Sequence, residues 1–242
     1  MNSVISQPMY LPWCGLFEQI RLCDVFVYYN DVQFSKGSFT NRVQIKANNR
    51  EGIEWLTIPL TNLKLGININ QLLINQKIDW KNGHRLLLEQ NYYGAPFYSE
   101  MKKLVEELLA YETESLSEFA IKSMEIILRY FELDKNKSFF KSSDLNISGK
   151  SSQRVLDIVT HFKCNKYVTG HGASKYLDHY LFEKKGIEVE YIDYRKNVYP
   201  QMNGPFTPYV SIIDLIANTG KNGIDYINSS TVNWKKFITV NS

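Results

Sequence analysis

Apolar runs and helical stripes alternate over the first thirty residues of the chain. Val4 to Ser6 is predicted to be a short buried strand, which ends at Gln7-Pro8. From Trp13 to Leu22 the apolar side chains recur at i, i+3, i+4 and i+7, the spacing of one helix face. Val25 to Tyr29 is a continuous apolar run, which is typical of a buried parallel strand. The pattern predicts a strand–helix–strand unit whose first loop lies at the ligand-binding edge of an open α/β sheet.

The pattern changes after this unit. Residues 53–60 alternate and stop at Pro59, and residues 66–70 and 71–75 form short polar and apolar runs, so antiparallel or edge strands are predicted. Helical periodicity then returns over Trp80–Tyr92, Tyr98–Tyr111 and Ser115–Phe131. The last of these helices opens on Ser115 and Glu118, spaced as a capping box.

A second α/β stretch begins at Ser142. It is predicted to contain helix 151–162, strand 166–169, helix 173–184 and strand 188–194. The fold class predicted is α/β, with a Rossmann-like, mainly parallel sheet flanked by helices and a largely helical middle segment. No linker or repeat divides the chain, so we expect one domain over residues 1–242, with a helical insertion at about 80–132.

Composition excludes several classes of protein. The net charge of +3 is too small to indicate a nucleic-acid partner or membrane binding, and no apolar run approaches a bilayer-spanning length. The chain opens without a signal-peptide pattern, so a cytoplasmic location is expected. Three cysteines without paired spacing argue against a disulfide framework or a zinc ribbon. The 16 tyrosines either pack in the core or suit a polar, ring-shaped ligand such as a sugar or nucleotide.

The first candidate site is the turn from Gln7 to Gly15. Pro8 and Pro12 restrict its backbone, and Tyr10 and Trp13 are rings that can stack on a base or a sugar. Gln7 can recognise a polar edge of the same ligand. An equally good interpretation is a rigid corner that only buries two aromatic side chains.

The second candidate runs from Asp31 to Arg42 and includes Gln33 and Asn41. Asp31 directly follows a predicted strand, where catalytic acids often lie in α/β proteins. Arg42 can bind phosphate or carboxylate through two hydrogen bonds. Alternatively, Asp31 and Arg42 pair with each other across the loop.

The third candidate lies between Ser142 and Arg154 and includes Ser143. Gly149-Lys150-Ser151 matches the end of a phosphate-binding P-loop, but the first glycine of that motif would fall on Asp144, which excludes it. Lys150 and Arg154 at a predicted helix start remain suited to phosphate. A capped surface helix explains the same pattern.

The fourth candidate follows the strand ending at Thr169. Gly170 and Gly172 allow close backbone approach, His171 is a possible general base because histidine titrates near neutrality, and Ser174 and Tyr176 follow on a helix start. No metal site is expected, because the nearby acidic and histidine side chains lack ligand spacing. Elsewhere, His84 is either a structural histidine or a ligand-facing one.

These segments together resemble the WbqC-like family. The resemblance is carried by Ser6-Gln-Pro-x-Tyr-Leu-Pro-Trp-x-Gly-x-Phe, Asp24-Val-Phe-Val, Asp31-Val-Gln-Phe, Asn41-Arg-x-x-Ile-Lys, Trp55-Leu-Thr-x-Pro, Trp80-x-x-x-His84, Tyr167-x-x-Gly, Tyr176-Leu-Asp and Ser211-Ile-Ile-Asp-Leu. It extends over nearly the whole chain. One departure is Ser6, where many members carry histidine.

The resemblance implies a cytoplasmic protein of bacterial surface-polysaccharide biosynthesis, including O-antigen and lipopolysaccharide. It implies a glycine or aminoacyl transferase acting on the amine of a nucleotide-linked amino sugar, with ATP as a compatible cofactor. Asp31, His84 or His171 would then be the base, Lys150, Arg154 or Arg42 would hold phosphate, and the amides near Gly170 would stabilise an oxyanion. The alternative is a non-catalytic nucleotide-sugar binding or scaffold protein of the same pathway.

Overall fold

The computed structural model describes residues 1–241. The strands it contains are β1 (Asn2–Ser6), β2 (Val25–Tyr28), β3 (Arg42–Lys46), β4 (Ile53–Thr57), β5 (Ser138–Lys141), β6 (Lys166–Thr169), β7 (Glu188–Asp193) and β8 (Ser230–Asn233). The α-helices are α1 (Cys14–Arg21), α2 (Trp80–Tyr92), α3 (Tyr98–Leu109), α4 (Leu116–Tyr130), α5 (Ser151–His161), α6 (His179–Glu183), α7 (Ile212–Thr219) and α8 (Trp234–Asn241). Within these residues, no helix has the length and apolar character needed to cross a bilayer.

Six strands form one sheet in the order β5–β2–β1–β6–β7–β8, and β3 and β4 form a separate antiparallel pair. All neighbours in the large sheet are parallel except β7 and β8. Counting only its own strands along the chain, the sheet has the order 3-2-1-4-5-6. This is the order of doubly wound dinucleotide-binding folds, here with an antiparallel last strand. The predicted α/β, mainly parallel fold class is confirmed.

The two faces of the sheet bury different helices because successive strand residues point in opposite directions. Val4, Phe26 and Val168 face one apolar core, which also contains α1, α4 and α7. Ile5 and Tyr167 face the other core, which they share with α5, α6 and α8. Helices therefore cover both faces, as the continuous apolar runs of the strands require.

The helices predicted for the middle of the chain are present. α2 has the bounds the pattern predicts, while α3 ends two residues earlier than predicted and α4 lies within its predicted range. Only half of the predicted capping box forms: the Ser115 hydroxyl accepts from the Glu118 amide, whereas the Glu118 carboxylate pairs with Lys141.

Other segments differ from the sequence prediction. Residues 66–75 contain no named strand; they form isolated bridges and a 3₁₀ turn, Ile69–Gln71, which Asn68 and Gln71 cap reciprocally. The predicted helix 173–184 is split into a 3₁₀ turn and the short α6. β5, β8 and the two C-terminal helices were not predicted. β5 completes one side of the sheet by pairing with β2.

Candidate functional site

A cavity of about 810 Å³ opens at the carboxyl edge of the sheet, between the ends of β1 and β6. The chain leaves β1 towards β2 on one side and leaves β6 towards β7 on the other, so the two connections diverge at this point. Ligands of open α/β folds bind in the crevice that such a switch in strand order creates. The volume lies within the usual range for small-molecule sites, about 300–1,000 Å³. We call it the switch-point cavity.

The turn after β1 is fastened to three separate elements. The Leu11 amide donates to the hydroxyl of Ser123 on α4 (3.0 Å), and the Tyr10 amide donates to the Thr40 carbonyl (3.2 Å). The Ser211 hydroxyl, at the start of α7, donates to the Leu11 carbonyl (2.7 Å). Leu11 has a φ of 42°, a left-handed conformation that these contacts hold in place. The turn is therefore a fixed wall of the cavity.

Aromatic rings form one side of the switch-point cavity. The Trp13 ring centroid lies 4.9 Å from that of Tyr194, and the His171 ring centroid lies 5.0 Å from that of Tyr194. The Trp13 indole lies against Gly15, where an added Cβ would come within 2.3 Å of the ring. Gly15 is therefore needed for this position of the indole. Such a row of rings suits the flat face of a base or a sugar.

The start of α5 forms the opposite, cationic side. Lys150 occupies the N-cap position, and its side chain makes no capping hydrogen bond because an ammonium cannot accept one. Gly149 (φ 105°) and Ser151 (φ 55°) both adopt left-handed backbone, which turns the chain sharply into the helix. Amide groups at a helix start, with Lys150 beside them, attract phosphate or carboxylate.

An ion pair joins the two α/β stretches at the cavity. Arg154 Nη2 lies 2.5 Å from Asp31 Oδ2, and the Ser142 hydroxyl donates to Asp31 Oδ1. Burial raises the pKa of Asp31, but the hydrogen bonds from Arg154 and Ser142 and the charge of Arg154 outweigh it, so the pKa lies below its ordinary value. Asp31 is thus held as a carboxylate and is a weak base.

The alternative pairing of Asp31 with Arg42 is wrong. Arg42 donates to the Gly37 carbonyl (3.0 Å), and its guanidinium lies 4.2 Å from the centroid of the Trp55 ring. Its own hairpin therefore holds it away from the cavity.

His171 has a defined tautomer at the cavity. Its Nε2 lies 2.7 Å from the carbonyl oxygen of Ile192, which can only accept a hydrogen bond. Nε2 therefore carries the proton, and Nδ1 is the basic nitrogen of the neutral ring. His171 lies in the turn that directly follows β6, and Ile192 lies in the neighbouring β7, so the edge of the sheet orients the ring.

The structure brings most of the predicted residues together. Those that line the switch-point cavity are Gln7, Trp13, Asp31, Gln33, Lys150, Arg154, Gly170, His171, Gly172 and Tyr176. Those outside its lining are Tyr10, Asn41, Arg42, His84, Ser143 and Ser174. Ser143 lies in an adjoining pocket, and Ser174 donates to the His171 carbonyl.

Tyr10 and His84 are paired with each other in the core. The Tyr10 hydroxyl lies 2.9 Å from His84 Nδ1, and His84 Nε2 lies 3.3 Å from the Thr57 carbonyl. Burial lowers the pKa of His84 to about 4. His84 is therefore neutral and structural in position. Asn41 is likewise buried and donates to the Ile58 carbonyl.

Several lining residues were missed from the sequence, among them Tyr194 and Gln19, which contact each other. Tyr194 directly follows β7, so the rule that ligands lie at the carboxyl ends of parallel strands would have found it. Gln19 projects from α1 and donates to the Tyr194 hydroxyl (2.5 Å). The sequence signal for Gln19 is weaker, because it is only a polar residue beside the apolar stripe of α1, although its side chain is buried.

Comparisons with known proteins identify the family of the chain. The model of the WbqC-like protein family matches residues 7–226. The chain is 30% identical over 226 residues to an uncharacterized protein of Mycobacterium tuberculosis, covering 92% of this chain and 96% of that one. No solved structure matches significantly. The family match covers the lining residues of the cavity except Ile5 and Ser6, and the chain belongs to the WbqC-like protein family.

Proposed function

We propose that this protein is a transferase of surface-polysaccharide sugar biosynthesis, which attaches glycine or another aminoacyl group to the amine of a nucleotide-linked amino sugar. The observation that carries the proposal is the switch-point cavity, in which an aromatic wall faces a cationic helix start across about 810 Å³. A nucleotide sugar has the matching parts: a flat base, phosphates and a polar ring. The family resemblance supplies the acyl group and the pathway.

In this proposal the phosphates of the sugar nucleotide bind at Lys150 and the first amides of α5, and the base or sugar stacks on Trp13 and Tyr194. The groups present also fit ATP, whose chemistry when bound would be to activate the carboxyl group of the donor. ATP and the sugar nucleotide would occupy this site in turn, ATP first, with Lys150 and the α5 amides holding its phosphates.

His171 is the proposed general base. The sugar amine attacks the carbonyl carbon of the activated acyl donor, and a C–N bond forms. The bond from that carbon to the activating group breaks, and the leaving group takes the electron pair. The amine proton passes to Nδ1 of His171, whose Nε2–H the Ile192 carbonyl holds. Backbone amides of residues 170–172 would face the oxyanion that develops.

A transfer assay tests the proposal directly. The protein is incubated with ATP, glycine and a panel of nucleotide-linked amino sugars, and the masses of the products are measured by mass spectrometry. We expect the mass of one sugar nucleotide to rise by one glycyl residue. Binding of a sugar nucleotide by calorimetry without any turnover would instead support the non-catalytic binding protein.

The role of His171 has a matched control in the same chain. His171→Gln should lower kcat by about 10²-fold or more, the usual contribution of a general base, with little change in KM for the sugar. His161→Gln alters an exposed histidine at the end of α5 and should leave kcat unchanged. Equal rates for the two variants would remove His171 from the mechanism.

A further inference from the structure

A second, smaller pocket adjoins the switch-point cavity beside the end of β5. Its volume is about 290 Å³. Its polar lining consists of Ser142, Ser143, Asn146, Ser148, Asp31 and Arg154. We call it the serine pocket. Its size is below that of typical nucleotide-sized sites and suits a small polar molecule.

The Asp31–Arg154 pair borders both cavities. Each partner keeps hydrogen-bonding capacity. The Asp31 carboxylate accepts from Arg154 and Ser142 and has further lone pairs. Arg154 donates to Asp31 and through Nε to the Ile147 carbonyl (2.9 Å), and a guanidinium has five donors. The pocket thus presents a negative and a positive group side by side.

A buried amide fixes the geometry of the serine pocket. Asn30 is 2% exposed and joins the end of β2 to the turn after β5. Its Oδ1 accepts from the Ser143 amide (3.1 Å), and its Nδ2 donates to the Ser143 hydroxyl (3.1 Å). The backbone amide of Asn30 donates to Ser142 Oγ (3.2 Å). The hydroxyls beside Asp31 are therefore held in place before any ligand binds.

We propose that the serine pocket binds a free α-amino acid, the source of the transferred acyl group. The ammonium of the amino acid pairs with Asp31, and its carboxylate accepts from the remaining donors of Arg154 and from the Ser148 hydroxyl. A phosphate would be repelled by Asp31, and a neutral sugar has no charged group to pair with either Asp31 or Arg154. Because the pair also borders the switch-point cavity, the carboxyl group lies next to the bound sugar nucleotide. The role as donor rests on the proposed function; the binding does not.

The test is binding of ¹³C-labelled glycine, followed by NMR, with two analogues. Glycinamide keeps only the ammonium, and N-acetylglycine keeps only the carboxylate. Glycine should bind at least tenfold more tightly than either analogue. Ser148→Phe should weaken glycine binding at least tenfold, since Ser148 lines the serine pocket and does not line the switch-point cavity. Asp31→Asn should remove the preference for glycine over N-acetylglycine, because the variant has no carboxylate to pair with the ammonium.

Ser99→Phe, which adds the same ring at an exposed serine on α3, is the control and should bind glycine as the parent protein does. Absence of glycine binding, or equal binding by Ser148→Phe and Ser99→Phe, would overturn the proposal. The two proposals fail separately. If Ser148→Phe leaves transfer activity unchanged, only the proposal for the serine pocket is refuted. If glycine binds in the serine pocket but no transfer occurs, only the proposed transferase function is refuted.

Discussion

A buried carboxylate on α7, Asp214, contributes to the stability of this protein in a way that depends on pH. Asp214 is 0% exposed. Its Oδ1 accepts from the Tyr199 hydroxyl (2.8 Å) and its Oδ2 from the Tyr92 hydroxyl (2.9 Å). Burial raises the pKa of Asp214 from 3.8 to about 6, although these hydrogen bonds and the charge of Lys46 act against it.

The sign follows from which state holds the proton. Below pH 3.8 Asp214 is protonated in both states; between 3.8 and about 6 the unfolded chain loses the proton and the folded chain keeps it. Stability therefore falls as pH rises through this window. At 1.36 kcal/mol for each pKa unit, the gap amounts to about 3 kcal/mol.

His84 acts in the opposite direction over nearly the same range. Burial lowers the pKa of His84 from 6.5 to about 4, so the unfolded chain binds the proton first as pH falls. This costs about 3 kcal/mol of stability between pH 6.5 and 4. The effects of Asp214 and His84 on the free energy of unfolding nearly cancel, so unfolding of the parent protein alone would reveal neither of them. A comparison with a variant is required.

The variant is Asp214→Asn, which keeps the size of the side chain and cannot ionise. Urea unfolding of both proteins is measured from pH 4 to 7.5. The stability of the parent minus that of Asp214→Asn should fall by about 2.4 kcal/mol between pH 4 and 7, because all other groups, including His84, are common to both. A difference that stays flat or rises with pH would refute a raised pKa for Asp214.

Two further outcomes are expected. Gly15→Ala should displace the Trp13 indole and raise KM for the sugar nucleotide about 5- to 100-fold, which is the range expected for the loss of one aromatic stack. The control is Gly83→Ala, which should leave KM unchanged because an added Cβ there meets nothing within 4 Å. Parent-like steady-state kinetics for Gly15→Ala would argue against stacking on Trp13. Asp31→Ala should cost about 2–3 kcal/mol in urea unfolding, because the Arg154 side chain, 8% exposed, loses its partner. The double variant with Arg154→Met should be more stable than Asp31→Ala, and equal stability would contradict this.

The sequence predicted correctly those elements that a short stretch of neighbouring residues determines. β1, α1 and β2 lie within two residues of their predicted ends, because each buries a face whose period is visible in a few consecutive residues. Ligand sites lie at the carboxyl ends of parallel strands, and this rule selected Gln7, Asp31 and His171, which line one cavity in the structure.

Pairings between distant segments could not be predicted in this way. Arg42 and Arg154 both follow patterns suited to an anion, and only the adjacency of β2 and β5 shows that Arg154 meets Asp31, 123 positions away. β5 itself is four residues long, too short for a period to be recognised. Tyr10 and His84 looked suited to a ligand, yet they satisfy each other in the core.

The strand order has a consequence for how the chain folds during synthesis. β1 and β2 pair across a short connection, but their outer neighbours, β6 and β5, lie about a hundred residues or more further along the chain. Until residues 138–169 leave the ribosome, the β1–β2 pair presents two open edges. Such long-range closure is slow, so the nascent N-terminal half should be the aggregation-prone species, and C-terminal truncations before β6 should be insoluble.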